Sequence, residues 1–342
     1  MRKTILITGA GGYIGSRMVE KYLIHGFRII ALDRYFFGDV LSDLKGKNLK
    51  IVKDDTRLFD KRILEKVDVV IDLASISNDA SGSLNPRLTR DINYNGSVRV
   101  ASLAKEMGVG RYVFSSSCSV YGKAKKLLDE ESKVSPVTEY AKSKLLSEKK
   151  ILELAGSSFC VTILRNATVF GLSTRRMRFD LMVNLMTLTA WKNNKIFIYG
   201  GGKQWRPLIH IDDCIDAFLA TIYENNSEKI NRQILNVGSD TLNYQVLQVA
   251  PMFKKYFPKL KIENFSSSTE TRNYRVNFKK IKKLLGFSTK RTIDDGIIEI
   301  LDALKSGKVQ ADIRTHTLNY YKYLMESEKL VDSLKLKGKL FL

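Results

Sequence analysis

Through the first half of the chain, short aliphatic runs alternate with longer stretches whose apolar residues recur every three to four positions. The runs read as strands over 3–8, 28–33, 49–53, 68–73, 110–117 and 158–165. Their continuous Ile, Leu and Val content predicts burial on both faces rather than one. The stretches between them predict helices over 13–25, 57–66, 87–107 and 137–155. Strand and helix in strict alternation imply an α/β fold, a parallel sheet covered by helices on both sides. After residue 166 the texture changes. Helical periods at 177–191, 212–224 and 244–256 mix with short strand runs near 195–199, 206–211 and 233–237, and two helical pieces close the chain at 292–306 and 312–332. The expected division is therefore 1–166 and a smaller α/β unit at 167–342. The second is partly interwoven with the first, because 206–211 and 233–237 are candidates to rejoin the main sheet. The chain holds no internal repeat and no low-complexity segment.

Composition narrows this picture. An apolar fraction of 44% supports a packed core. No run of about 18 apolar residues exists, so no integral membrane segment is expected. Strand one begins within four residues of the start, so no leader is expected. Cys118, Cys160 and Cys214 are an odd number without metal-ligand spacing, which fits a reducing compartment, the cytoplasm. The formal charge of +21 arises from scattered lysines, not from a basic stripe with interleaved aromatics. A solvated surface is expected, not a nucleic-acid groove. The basic tail 335–342 is too short to anchor by itself at a membrane.

Two motifs carry chemistry. In the first, Thr4 to Thr8 runs into Gly9, Gly12 and Gly15, and a helix follows. Such a turn lets a diphosphate approach the backbone, and the helix N-terminus favours the anion. The second strand ends at Asp33, 24 residues after Gly9. A carboxylate there accepts ribose hydroxyls and repels a 2′-phosphate, so NAD is expected over NADP. Arg34, next in line, is the one argument for NADP. Asp55 and Thr56 follow the third strand, where an adenine would lie, and Leu73, Ala74 and Ser75 end the fourth.

The second motif is Tyr140-Ala-Lys-Ser-Lys144. Positions i and i+4 share a helical face, so the Lys144 ammonium is expected to stabilise the Tyr140 phenolate. A tyrosine so placed removes an alcohol proton. The fifth strand ends in the run Ser115 to Gly122 at the sheet edge where ligands of open α/β sheets bind, and Ser117 there is expected to share that proton.

Together these motifs resemble the NAD-dependent epimerase/dehydratase family of extended short-chain dehydrogenases/reductases. The resemblance also draws on Leu164 to Gly171, Trp205 to Asp212 and Glu270 to Arg272. It implies a Rossmann-type doubly wound sheet, tightly held NAD, a nucleotide-diphospho-sugar in the C-terminal part, and a homodimer through helices at about 90–107 and 137–155. It assigns Ser117, Tyr140 and Lys144 to catalysis. The cofactor set it implies is Gly9, Gly12, Tyr13, Ile14, Gly15, Asp33, Arg34, Asp55, Thr56, Leu73, Ala74, Ser75, Asn93, Ser115, Tyr140, Lys144, Asn166 and Val169. The substrate set is Ser77, Ser117, Ser119, Thr168, Asn184, Arg206 and Arg272, with Asn184 near the phosphates and the two arginines clamping the diphosphate.

Departures from the family pattern restrict the reaction. Sugar 4,6-dehydratases carry an Asp-Glu pair after the catalytic hydroxyl residue, and here Cys118 and Ser119 stand there. Cys118 also falls one place early for an epimerase-reductase cysteine and is expected to be a packing residue. Thr168 replaces an asparagine of many 4-epimerases, and Asp72 replaces a histidine. The expected activity is an NAD-dependent nucleotide-sugar epimerase acting at C4. A dehydrogenase or ketoreductase of the same family is the alternative, and a non-catalytic dinucleotide-binding protein is a more distant one.

Overall fold

The computed structural model describes residues 2–44, 46–266 and 272–340. The strands are β1 (Thr4–Thr8), β2 (Arg28–Asp33), β3 (Leu49–Lys53), β4 (Val69–Asp72), β5 (Arg111–Ser117), β6 (Lys123–Leu128), β7 (Cys160–Asn166), β8 (Thr168–Phe170), β9 (Lys195–Tyr199), β10 (Trp205–His210), β11 (Gln233–Val237), β12 (Asn243–Gln245), β13 (Lys261–Phe265) and β14 (Asn273–Val276). The helices are α1 (Tyr13–Ile24), α2 (Asp79–Gly82), α3 (Pro86–Arg90), α4 (Ser97–Glu106), α5 (Glu139–Glu153), α6 (Met182–Asn193), α7 (Ile211–Tyr223), α8 (Ser227–Ile230), α9 (Val246–Val249), α10 (Lys279–Leu285), α11 (Ile293–Lys305) and α12 (Thr317–Leu334).

Seven strands form one parallel sheet in the order β11-β7-β5-β4-β1-β2-β3. This is the doubly wound Rossmann-like α/β arrangement. Its order reverses between β1 and β4, and the crevice that opens at such a point is where ligands of these sheets bind. Edge strand β3 is largely exposed rather than buried on both faces, because among the described residues no strand covers its outer side. In the central strands, alternate residues explain why neither face is polar. Ile5, Ile7, Val69, Ile71 and Val113 pack on the α1 side, while Leu6, Val70, Phe114 and Ile163 pack on the opposite side with Val100 of α4 and Ile151 of α5.

The strand at 233–237 rejoins the main sheet beside β7. The strand expected at 206–211 does not. As β10 it pairs with β8 and β12 in a separate three-stranded sheet. β13 pairs with β9 and β14 with β6, so both small sheets join distant segments. A separate apolar cluster that includes Phe170, Val183, Ile196, Leu208, Val249 and Ile297 lies under this part.

The helix expected at 177–191 begins only at Met182 and runs to Asn193, which leaves Arg178 in the preceding loop. Three other expected helices differ more. Residues 57–66 form only a 3₁₀ turn at Lys61–Leu64, because the Asp60 carboxylate accepts from Arg62 N (2.9 Å) and Lys66 leaves the helical region at φ 61°. Residues 244–256 break after Val249, where Pro251 brings no N–H to an α-helix and a 3₁₀ segment follows. The stretch at 87–107 holds a π-turn at Asp91–Gly96 between α3 and α4. Such turns gather near functional sites, and this one carries Asn93.

Candidate active site

The β1–α1 turn needs glycine for internal reasons first. Gly9 sits at φ 67°, and a Cβ there would lie 2.8 Å from Ala74 N at the end of β4. At Gly15 a Cβ would fall 2.1 Å from the Gly9 carbonyl oxygen. At Gly12 the only contact for a Cβ is that same oxygen at 3.1 Å, so this N-terminal turn is bare where it meets the cleft. Asp33 closes β2. Its two oxygens accept from Gly11 N (3.0 Å) and Tyr35 N (2.6 Å), which orient the carboxylate and leave acceptor sites on both oxygens. Burial raises its pKa. Arg34 donates to Asp55 (3.1 Å), and Asp55 is also held by Arg57 (2.8 Å). These guanidinium contacts, Arg57 first, keep the Asp55 carboxyl well below the usual carboxylate range.

The catalytic candidates stand where β5 ends. Ser117 Oγ accepts from Ser119 N (3.1 Å) and caps a 3₁₀ turn at Cys118–Tyr121. Cys118 therefore does not continue the strand. It is buried and donates to the Arg165 carbonyl (3.2 Å), a packing residue as expected. Helix α5 starts from the Thr138 cap and carries Tyr140 in its first turn and Lys144 one turn later. Lys144 is only 2% exposed, donates to the Ser115 carbonyl (2.8 Å) and sits 4.7 Å from the Phe114 ring centre. Burial pushes its ammonium down to about 8, against the opposing charges of Asp72 and Glu148.

Tyr140 departs from expectation. Burial and then the Asp79 carboxylate push its hydroxyl up to about 12, while the Ser117 hydrogen bond, Arg178 and Arg272 pull it back. The phenolate was expected to be favoured by Lys144. Here burial outweighs the nearby charge, and the cations that act on the phenol come from the second half of the chain.

Those cations belong to a dense polar wall. Arg178 pairs with Asp180 (2.8 Å) and donates to Ser77 Oγ (3.0 Å). Arg272 pairs with Asp79. Arg206 is buried and donates to the backbone oxygens of Trp205 and Arg272, both at 2.7 Å. Asn78, at φ 78°, donates to Asp180 (3.1 Å) and caps α2 through Ser81 N (2.8 Å). A non-glycine residue in this region is strained, and such strain collects at functional sites. Asn166 donates to Ser115 Oγ (3.0 Å), and Asp72, fully buried, accepts from Thr8 (2.5 Å) and Tyr112 (2.6 Å).

One cleft of about 1230 Å³ runs from Asp55 past the glycine turn to Tyr140 and on to Arg206 and Arg272. Every site residue singled out from the sequence lines it except Asn93 and Asn184. Asn93 is fully buried. It accepts from Ile76 N (2.8 Å) and donates to the Ile76 carbonyl (3.2 Å), so it positions the cleft wall from behind. Asn184 is also fully buried and binds Gly171 N (2.9 Å), the Arg178 carbonyl (2.9 Å) and the Tyr13 hydroxyl (3.2 Å). It braces the loop that carries Arg178 rather than facing the cleft. Glu270 and Thr271 lie outside the described residues.

Sequence reasoning did not single out Asp79, Arg176 or Arg178. The two arginines and Asp180 alternate with Met177 and Phe179 along 176–180, and nothing in that spacing says which side chains turn inward. Among the described residues, no helix is long and apolar enough to cross a membrane.

The model of the NAD dependent epimerase/dehydratase family matches residues 5–238. The chain is 28% identical over 320 residues to the uncharacterized UDP-glucose epimerase YtcB of Bacillus subtilis, covering 88% of this chain and 98% of that protein. It is 27% identical over 254 residues to a UDP-N-acetyl-alpha-D-glucosaminuronate decarboxylase of Bacillus cytotoxicus, covering 70% and 76%. The fold matches the crystal structure of UDP-glucuronic acid 4-epimerase from Bacillus cereus with a TM-score of 0.79 at 23% identity, over 89% of this chain and 99% of that one.

Proposed function

The chain belongs to the NAD-dependent epimerase/dehydratase family, and from that premise we propose that it epimerises a nucleotide-diphospho-sugar at C4 with NAD as cofactor. The observation that carries the reading is the meeting of Ser117, Tyr140 and Lys144 midway along one continuous cleft, between the glycine turn and the Arg206–Arg272 end. The residues present fit a dinucleotide: a bare helix N-terminus at Gly12, an oriented carboxylate at Asp33 on one side of it, and the small residues Ala74 and Ser75 after β4 on the other side, toward the end of β5. NAD, when bound, supplies the acceptor and donor of the hydride that an epimerisation removes and returns.

The chain's own part is proton transfer and orientation. Tyr140 takes the sugar hydroxyl's proton, and the hydroxyl of Ser117, bonded to the phenol, shares it. Lys144, fixed by the Ser115 carbonyl, holds the ribose next to the nicotinamide. Arg206 and Arg272 hold the sugar nucleotide's diphosphate through charge-assisted bonds. No acid–base pair follows Ser117, since Cys118 is turned into the core. A site without that pair suits a cycle that oxidises and re-reduces one carbon.

The test is a panel of UDP-hexoses and UDP-hexuronic acids with product analysis by NMR. The expected result is the C4 epimer, with no net reduction of added NAD. Accumulation of reduced cofactor with a ketone or acid product would establish the dehydrogenase alternative instead.

Asp33→Ala is expected to weaken NAD binding by on the order of 10-fold or more and to narrow its advantage over NADP, as two charge-assisted bonds to ribose are lost. Arg34 is committed to Asp55, which limits its use for a 2′-phosphate. Equal wild-type affinities for the two dinucleotides would refute the assignment of Asp33.

The proposed division at residue 166 leaves β11, among the described residues, as the one later strand inside the main sheet. A homodimer through α4 and α5 is part of the reading, supported by the half-exposed Leu146 on α5. So is a cytoplasmic location, supported by three buried, unpaired cysteines.

A further inference from the structure

Residues 171–178 lie over the N-terminal turn of α1. The Tyr13 hydroxyl donates to the Gly171 carbonyl (2.6 Å), the hydroxyls of Ser16 and Ser173 lie 3.4 Å apart, and Arg175 reaches Asp43 (2.5 Å). The next residue, Arg176, is 4% exposed and lines the cleft. Its guanidinium carbon stands 3.7 Å from the centre of the Phe37 ring. One nitrogen donates to Thr317 Oγ1 (2.9 Å) and another to the Met177 carbonyl. Its Nε has no acceptor among the described residues.

Unlike Arg178, which has Asp180, Arg176 forms no ion pair with a carboxylate among the described residues. Burial first, and then the charge of Arg178, push its pKa down to about 10. The carboxylates of Asp180 and Asp312 act on it only from a distance. A buried guanidinium with no contacting carboxylate among the described residues is costly, and an anion from a ligand would offset that cost. The position identifies the anion. The charge of Arg176 reaches Asp33, the proposed ribose carboxylate, and the loop that carries Arg176 is fastened to the helix turn that begins at Gly12. An adenosine dinucleotide has its diphosphate between those two landmarks.

We infer that Arg176 receives the diphosphate of the bound dinucleotide from the side opposite the glycine turn, and that α12 holds it in place. The inference rests on the NAD-binding reading above. Helix α12 supplies the fastening. Thr317 accepts from Arg176, the Tyr320 hydroxyl donates to the Phe36 carbonyl (2.9 Å), and the Phe37 ring lies 5.7 Å from that of Tyr321. Further along, Leu324 and Glu328 continue the cleft wall, and the helix touches α2 beside Tyr140. The strap thus runs from the ribose end of the cleft to its catalytic end.

The test is equilibrium binding of NAD, NADP, ADP-ribose and adenosine to the full-length protein, without turnover. Arg176→Gln is expected to weaken NAD and ADP-ribose by about 10- to 100-fold and to leave adenosine, which has no phosphate, unchanged. Arg176→Lys keeps the charge without the planar fork and should fall between. Undiminished NAD binding by Arg176→Gln would overturn the inference. An equal loss for adenosine would overturn it too, since it would mean collapse of the pocket, and a loss confined to NADP would place the contact at a 2′-phosphate instead. A wild-type protein that binds none of the four probes would defeat the NAD reading itself, an outcome distinct from a change seen only in the variants.

Discussion

Tyr140→Phe is expected to lose on the order of 100-fold or more in turnover while keeping its NAD and its nucleotide sugar, the scale of a positioned general base. The substitution removes one hydroxyl and leaves the ring in place. Tyr140 stands on the first turn of α5 with its Cβ against α2, where a Cβ added at Gly82 would lie 3.1 Å away. The hydroxyl is the group bonded to Ser117 and influenced by Asp79, Arg178 and Arg272. With its pKa near 12 the phenol is protonated at neutral pH, so its base form grows as pH rises. Wild-type turnover should therefore climb with pH from 6 toward 8, and the Phe variant should lose that slope along with the rate. Single-turnover absorbance of the bound cofactor after substrate addition checks both. A Phe variant that reacts at the wild-type rate would remove Tyr140 from the chemistry.

Glu148→Ala is expected to cost about 3–5 kcal/mol of stability, the range for breaking a buried ion pair from one side. Glu148 and Arg165 are 1% and 3% exposed. They meet through Arg165 Nε (3.0 Å) and Nη2 (2.7 Å), and Ser116 Oγ donates to the same carboxylate. Arg165 also reaches the Tyr121 hydroxyl (3.1 Å). Without Glu148 a guanidinium stays in the core with no counter-charge, directly behind the serines that end β5. Replacing both partners with methionine removes both charges, so Glu148→Met with Arg165→Met should recover most of the loss. Urea denaturation of the single and double variants decides the matter. A loss below about 1 kcal/mol for Glu148→Ala would show that the pair contributes little.

Much of the fold was legible because the relevant information is local. A strand buried on both faces needs an unbroken aliphatic run, and β2 begins and ends where that run does, whereas the edge strand β3, with two lysines in five residues, is largely exposed. Gly9 and Gly15 are required by backbone contacts within the same β1–α1 turn and with the end of β4, so the glycine cluster marked the turn before any ligand was considered. Tyr140 and Lys144 share a helical face through spacing alone. Local pattern failed where a competing residue intervened, as Asp60 and Lys66 did in the expected helix at 57–66.

Tertiary structure decided what distant segments do to one another. Periodicity cannot state that Arg178 and Arg272 reach the phenol of Tyr140, that Asp79 opposes them, or that α12 crosses to Arg176. Nor can it tell an asparagine facing a ligand from one turned inward, and Asn184 is turned inward. The direction of the Tyr140 pKa shift belongs to the same class. It is a balance between desolvation and charge, and both terms are set by which parts of the chain pack around the hydroxyl rather than by its neighbours in sequence.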